Sequence, residues 1–345
     1  MSSALTYLPD IWLGIIGLLL LLYVFTDGAN LGIGILSLFE NDGEEVGRRM
    51  GMLGSTWHAS QTWLVILGGM LFGAFPDFYG ILLSALYVPM VLMLAGLIFR
   101  GVAFEFRAHS GRKRAWELAF GLGSLVATLA QGAALGGLLS GLPVENGRFE
   151  GSIWGWFNPF SALVAAGVLC GYVLLGSNYL IATGGEALRQ RGYRHALASC
   201  LLTFPISAAV HLWAAARYPQ VADKWITGPW AWYLWGSILL ALASFWRLMS
   251  NLLRRRRSAL RWNYAVICFS FFGLSVGLYP DMIPSVVNPV AVAHAAASPQ
   301  TLLFMLVVTA ILLPVILGYT AYTHRAAVRS GRAYGGDEEE GRPPP

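Results

Sequence analysis

A few polar side chains stand inside stretches that are otherwise apolar, and their types suit proton chemistry. Asp27 and Asn30 sit in FTDGANLGIG, His58 and Gln61 in TWHASQTWLV, and Glu105 and His109 in FRGVAFEFRAH. Carboxylates and imidazoles bind and release protons, whereas an amide only orients water. A charged side chain at the centre of a bilayer costs about 2.5–3.5 kcal/mol on insertion scales, so residues of this kind are functional candidates. Each also has an ordinary reading. Asp27 could cap or hinge a broken helix, His58 could bond one helix to another, and Glu105 could snorkel with Arg100 or Arg107 as partner. Glu105 and His109 are four apart and share a helical face, as a relay entrance or a surface pair would. Trp57 and Gln61 share a face in the same way, with Trp63 close by. An indole and an amide could hold a quinone, border a haem edge or meet another subunit, or they could simply pack helices.

Metal and haem chemistry find less support. Cys170, Cys200 and Cys268 lie singly in apolar runs and read as small buried hydrophobes. His195, His294 and His324 fall at the ends of runs or between them, which leaves His58 and His211 as the intramembrane imidazoles. The expectation is that this chain binds no metal, holds no haem alone and carries no catalytic residue of its own.

The elements that must position these groups follow from composition. Of the 345 residues, 56% are hydrophobic and 12% charged, against roughly 25% charged in a soluble domain. Mean hydropathy is +0.59. Apolar runs of membrane-spanning length occur over about 10–38, 50–75, 79–105, 115–140, 158–183, 195–217, 228–250, 259–279 and 301–324. The fold class expected is therefore an all-α integral membrane protein of nine transmembrane helices, arranged as two four-helix bundles plus one additional helix. Residues 1–325 form the membrane domain, and 326–345 form a polar tail expected to be disordered. The N-terminus has no basic segment and no cleavage site, so the first run reads as a retained helix. Its glycines, with Asp27 and Asn30, are expected to bend or break it, and Pro89 to kink the third span.

Charge supplies the orientation. With the N-terminus outside, 20 of the 23 lysines and arginines fall inside, and only Arg148, Arg217 and Lys224 fall outside. The RRRR run at 254–257 then lies beside anionic headgroups rather than on nucleic acid. At 1.5 Å per residue, Asp27 lies about 25 Å from the outer end of its span. His58 lies about 12 Å from the inner face and His211 about 24 Å, too far apart in depth to share one iron. Asp27, His58 and Glu105 are thus graded along the inner half, as a proton path from that side requires.

Several stretches, taken together, resemble subunit II of the cytochrome bd-type quinol oxidases, in the manner of the cyanide-insensitive branch. They are TDGANLGIGIL, STWHASQTWLVILGG, LSALYVPMVLMLAGLIFRGVAFEFR, WELAFGLGSLVATLAQGAALGG, SVGLYPDMIPS and LLFMLVVTAILLPVILGYTAY, in order across about residues 8–325. The resemblance implies a bacterial cytoplasmic-membrane enzyme that oxidises quinol and reduces oxygen to water. It implies haem b and haem d in a partner subunit I, with subunit II supporting assembly and supplying part of a cytoplasmic proton path. A small accessory subunit and a structural quinone or lipid are further partners of that reading. In the family pattern Asn30 stands where a second acid is expected, His58 replaces an aspartate and Ser60 an asparagine. Trp57, Gln61, Trp63 and the acid at Glu105 match.

Two other readings compete. A secondary transporter would explain an interrupted first span, although no matching interruption appears in the second half. A diverged scaffold paralogue without oxidase activity would tolerate the substitutions at 30 and 58.

Overall fold

The computed structural model describes residues 5–54, 57–217, 225–226, 228–283 and 290–340, with backbone alone from 323 onward. The helices are α1 (Leu8–Ser37), α2 (Gly43–Gly54), α3 (Trp57–Ala74), α4 (Pro76–Ala85), α5 (Tyr87–His109), α6 (Lys113–Leu139), α7 (Pro159–Thr183), α8 (Glu186–Arg217), α9 (Ala231–Leu253), α10 (Ala259–Leu278), α11 (Val292–Ala295) and α12 (Pro299–Glu340). Eight of the described helices are long and apolar enough to cross a membrane. The chain is a multi-pass membrane protein. The second expected span is shorter than 50–75: α3 begins at Trp57, has 18 residues and is not among the eight. Its first half is diluted by Ser60, Gln61 and His58, which stands in its first turn rather than about 12 Å along the span.

In the first group α5 packs on α6, and α1 on both α3 and α6; in the second, α7 packs on α8 and α9 on α10, with α10 against α7. The groups join where α7 packs on both α1 and α6, and α12 lies against α3 and α1. The backbone of α12 continues through Glu340, into the segment expected as a disordered tail. Residues 341–345, Lys224 and the side chains of the tail lie outside the described residues.

Two local expectations are corrected. Helix α1 is continuous from Leu8 to Ser37 and is not interrupted at TDGANLGIG. Its glycines serve close approach instead. A Cβ at Gly32 would lie 1.8 Å from the carbonyl oxygen of Tyr172, and one at Gly28 2.9 Å from the Tyr172 ring. Small residues of this kind let membrane helices touch backbone to backbone. The interruption that a transporter reading needs is absent from this helix. The third span does divide, but at Leu86 rather than Pro89. Pro89 falls in the first turn of α5, where its missing N–H breaks no helical bond.

Outside the helices, β1 (Val144–Glu145) and β2 (Arg148–Phe149) form a small antiparallel hairpin. Asn146 and Gly147 turn it with φ of 50° and 74°, the preference of a tight two-residue turn. The aromatic stretch that follows leads into α7 through Asn158, whose side chain accepts from the Ser161 N–H at 2.9 Å, with Pro159 as the first helical residue. A second short ladder pairs β3 (Asp281–Ile283) with β4 (Val290–Ala291).

Candidate functional site

The polar groups separate into a buried set and an exposed set. In the buried set, Arg100 on α5 reaches Asp27 on α1. Its Nη2 donates to Oδ1 at 2.7 Å and to Oδ2 at 2.9 Å, and both side chains are 0% exposed. By sequence Arg100 counts among the inner-loop cations and is a partner for Glu105. The structure gives it to Asp27. The close crossing of α5 and α6 brings it there, because a Cβ at Gly96 would lie 2.6 Å from the Gly123 carbonyl oxygen. One turn along α1, Asn30 Nδ2 donates to Ser60 Oγ on α3 at 3.2 Å, also buried. These are the two positions at which an amide and a hydroxyl replace the residues the family pattern expects.

At the other end of this set lies a triad missed in the sequence. Gln131 on α6 donates through Nε2 to the Tyr23 hydroxyl at 2.6 Å, and accepts through Oε1 from the Tyr172 hydroxyl at 2.9 Å. Tyr23 is four residues before Asp27, so the triad stands directly above the ion pair on α1. Its only sequence signal is a glutamine in the apolar run LVATLAQGAAL.

The exposed set lies between α3 and α5. His58 Nε2 is 4.0 Å from Glu105 Oε1, with the two side chains 72% and 67% exposed. That separation exceeds a direct hydrogen bond but is within reach of one water or a small side-chain rotation. His58 stacks on Trp57 with ring centroids 3.6 Å apart, and Trp57 in turn stacks on Phe104 at 5.3 Å. Gly101 leaves room for the indole, since a Cβ there would meet its edge at 3.2 Å. His109 Nδ1 lies 3.2 Å from the Glu105 carbonyl oxygen, so His109 shares the Glu105 face at the surface. Gln61 is half-buried. Trp63 is buried in a separate cluster with Leu19, Tyr23 and residues of α12, so it stands apart from Trp57.

The Arg-rich end of the bundle is tied by ion pairs around the α1–α2 loop. Arg49 Nη2 bonds Glu40 at 2.9 Å and approaches Glu45 at 3.5 Å. Arg191 of α8 also pairs with Glu40, which links the second bundle to the first. Burial pushes the Glu40 carboxyl up, but the Asp42 N–H and the guanidinium groups of Arg49 and Arg191 together hold it below its ordinary value. Arg107, the other partner offered to Glu105, bonds Glu117 at 2.9 Å and the Gly43 carbonyl at 2.8 Å.

His58 on α3 and His211 on α8 belong to different bundles, and His211 Nδ1 lies 2.7 Å from the Ser207 carbonyl oxygen of its own helix. Among the described residues no three His, Cys, Asp or Glu side chains gather as a metal site would require.

Comparison with known proteins sets this geometry in context. Residues 8–327 match the family model described as cytochrome bd terminal oxidase subunit II. Cytochrome bd-I ubiquinol oxidase subunit 2 of Escherichia coli (strain K12) is 31% identical, covering 91% of this chain and 92% of that one. A probable cytochrome oxidase subunit 2 of Haemophilus influenzae is 26% identical, with 92% and 93% covered. The bd oxidase structure from Geobacillus thermodenitrificans superposes with a TM-score of 0.72 at 20% identity, over 92% of this chain and 98% of the matched chain.

Proposed function

The chain belongs to the cytochrome bd terminal oxidase subunit II family, and from that membership we propose that it is the haem-free subunit of a quinol-oxidising, oxygen-reducing complex in the bacterial cytoplasmic membrane. Haem b and haem d belong to partner subunit I in this reading and supply the electron and oxygen chemistry there. The residues of this chain support that subunit and deliver protons to it from the cytoplasmic side.

The observation that carries the reading is the exposure of His58 and Glu105 on one face, 4.0 Å apart. An exposed ionisable pair on membrane helices is costly against lipid. A second subunit on this face would cover it and receive its protons. Glu105, near the inner end of α5, takes a proton from the cytoplasm. His58 accepts it on one ring nitrogen and releases it from the other toward the partner. Trp57, fixed by Phe104, holds the imidazole in place. Asp27 takes a different part from the one expected. Both of its carboxylate oxygens accept from Arg100, so Asp27 anchors α1 to α5 beside the path. Asn30 and Ser60 orient water there without titrating. His109 lies at the mouth, while Trp63 serves packing. Gln61, together with Trp57, borders the covered face, where a quinone or lipid would also sit.

The test is purification of the tagged chain from its native membrane. Haem spectra that co-purify with a second, haem-ligating polypeptide and quinol oxidase activity support the reading. A chain isolated alone, without haem and binding a transported solute, overturns it.

A further inference from the structure

The buried set contains more hydrogen-bond donors than the protein supplies with acceptors. Arg100 uses Nη2 for Asp27, yet its Nε and Nη1 are buried and donate to no described protein group. Thr128 Oγ1 on α6 is buried, at 0% exposure of its residue, and is likewise unpartnered. The Tyr23 hydroxyl accepts from Gln131, and its own proton has no described acceptor.

Their positions on α1, α5 and α6 place these groups on facing sides of the three helices. Tyr23 and Asp27 are one turn apart on α1. On α6, Ser124 meets Gly34 of α1, and Gln131 bonds Tyr23. Thr128 lies between them at helical spacing, so it occupies the α1-facing side of α6 at the level of Asp27 and Asn30. Arg100 enters the same space from α5. Guanidinium N–H groups left bare in a low-dielectric interior cost more than ordering one solvent molecule. A buried water makes about three hydrogen bonds to groups of this kind.

We propose that α1, α5 and α6, with Tyr172 of α7, enclose an ordered-water site between the Asp27–Arg100 pair and the Tyr23–Gln131–Tyr172 triad, held by Arg100, Thr128 Oγ1 and the Tyr23 hydroxyl. Water is the ligand class because the charges of Asp27 and Arg100 already balance. A further anion or cation would leave one of them uncompensated. The site keeps the ion pair solvated inside the bundle. It is separate from the exposed His58–Glu105 face and rests on the proposed oxidase complex only for the preparation that tests it.

A high-resolution cryo-EM map of the intact complex tests this directly. The expected result is a discrete peak about 2.7–3.2 Å from Arg100 Nε or Nη1 and from Thr128 Oγ1 or the Tyr23 hydroxyl. In a second map, Thr128→Val, which keeps the side-chain shape, is expected to lose or displace the peak while haem content stays unchanged. A wild-type map in which these atoms satisfy one another directly, with no peak among them, overturns the proposal whether or not the variant assembles. A peak unchanged in Thr128→Val removes Thr128 from the site and overturns the assignment as stated.

Discussion

Arg100 and Asp27, 73 residues apart in the chain, meet as a fully buried ion pair in which one guanidinium nitrogen donates to both carboxylate oxygens, at 2.7 and 2.9 Å. Removing one partner of such a pair strands the other charge. Arg100→Gln is expected to cost about 3–5 kcal/mol, read as a lower melting temperature and loss of haem from the purified complex. Asp27→Asn with Arg100→Gln together should cost less than the sum of the two single changes. Strict additivity would show that the two side chains are not coupled.

The crossing of α1 and α7 is set by Gly32, where a Cβ would fall 1.8 Å from the Tyr172 carbonyl oxygen. Backbone cannot yield as a side chain does, so Gly32→Ala must push the helices apart. A loss of about 1–3 kcal/mol is expected, measured by thermal unfolding of the detergent-solubilised complex. Gly14→Ala in the same helix meets nothing within 4 Å and is expected to be neutral.

Arg191 links the second bundle to Glu40 at a partly exposed site, with side chains 37% and 15% exposed. Its removal in Arg191→Ala is expected to cost less than about 1 kcal/mol. The Glu40 carboxyl is held below its ordinary value. Its stabilising contribution is therefore complete above about pH 4.3 and disappears as pH falls through the lowered value. The melting difference between wild type and Arg191→Ala should accordingly shrink in acid. A difference that widens in acid contradicts the pairing.

Much of this was legible in the sequence, for physical reasons. The long apolar runs located the helices, and the arginine-rich connections separated one end of the bundle from the other. The pairing of Arg100 was not legible. An arginine near the end of an apolar run looks like a snorkelling cation, and only the close Gly96–Gly123 crossing turns it inward. The glycines of TDGANLGIG are equally ambiguous, because a hinge and a close helix contact both call for small residues. Tyr172 and the carbonyl beside Gly32 resolve that choice, and they lie some 140 residues away. Gln131 gave a weak signal as a lone amide in an apolar helix. His58 and Glu105 are each candidates by type, but their approach to 4.0 Å depends on where the fold places α3 and α5.

The stacked Trp57 orients His58, so Trp57→Leu should lower turnover while leaving the apparent quinol affinity close to wild type. A parallel fall in haem content would instead assign Trp57 to assembly.

The most direct measurement of the central claim is oxygen-reduction turnover against pH, from 5 to 9, for wild type, His58→Ala and Glu105→Gln in the intact complex with haem content matched. The proton-delivery account predicts that both variants turn over more slowly, that His58→Ala changes the shape of the pH profile, and that quinol affinity is little altered. Turnover and pH profiles that superpose on wild type for both variants would contradict it.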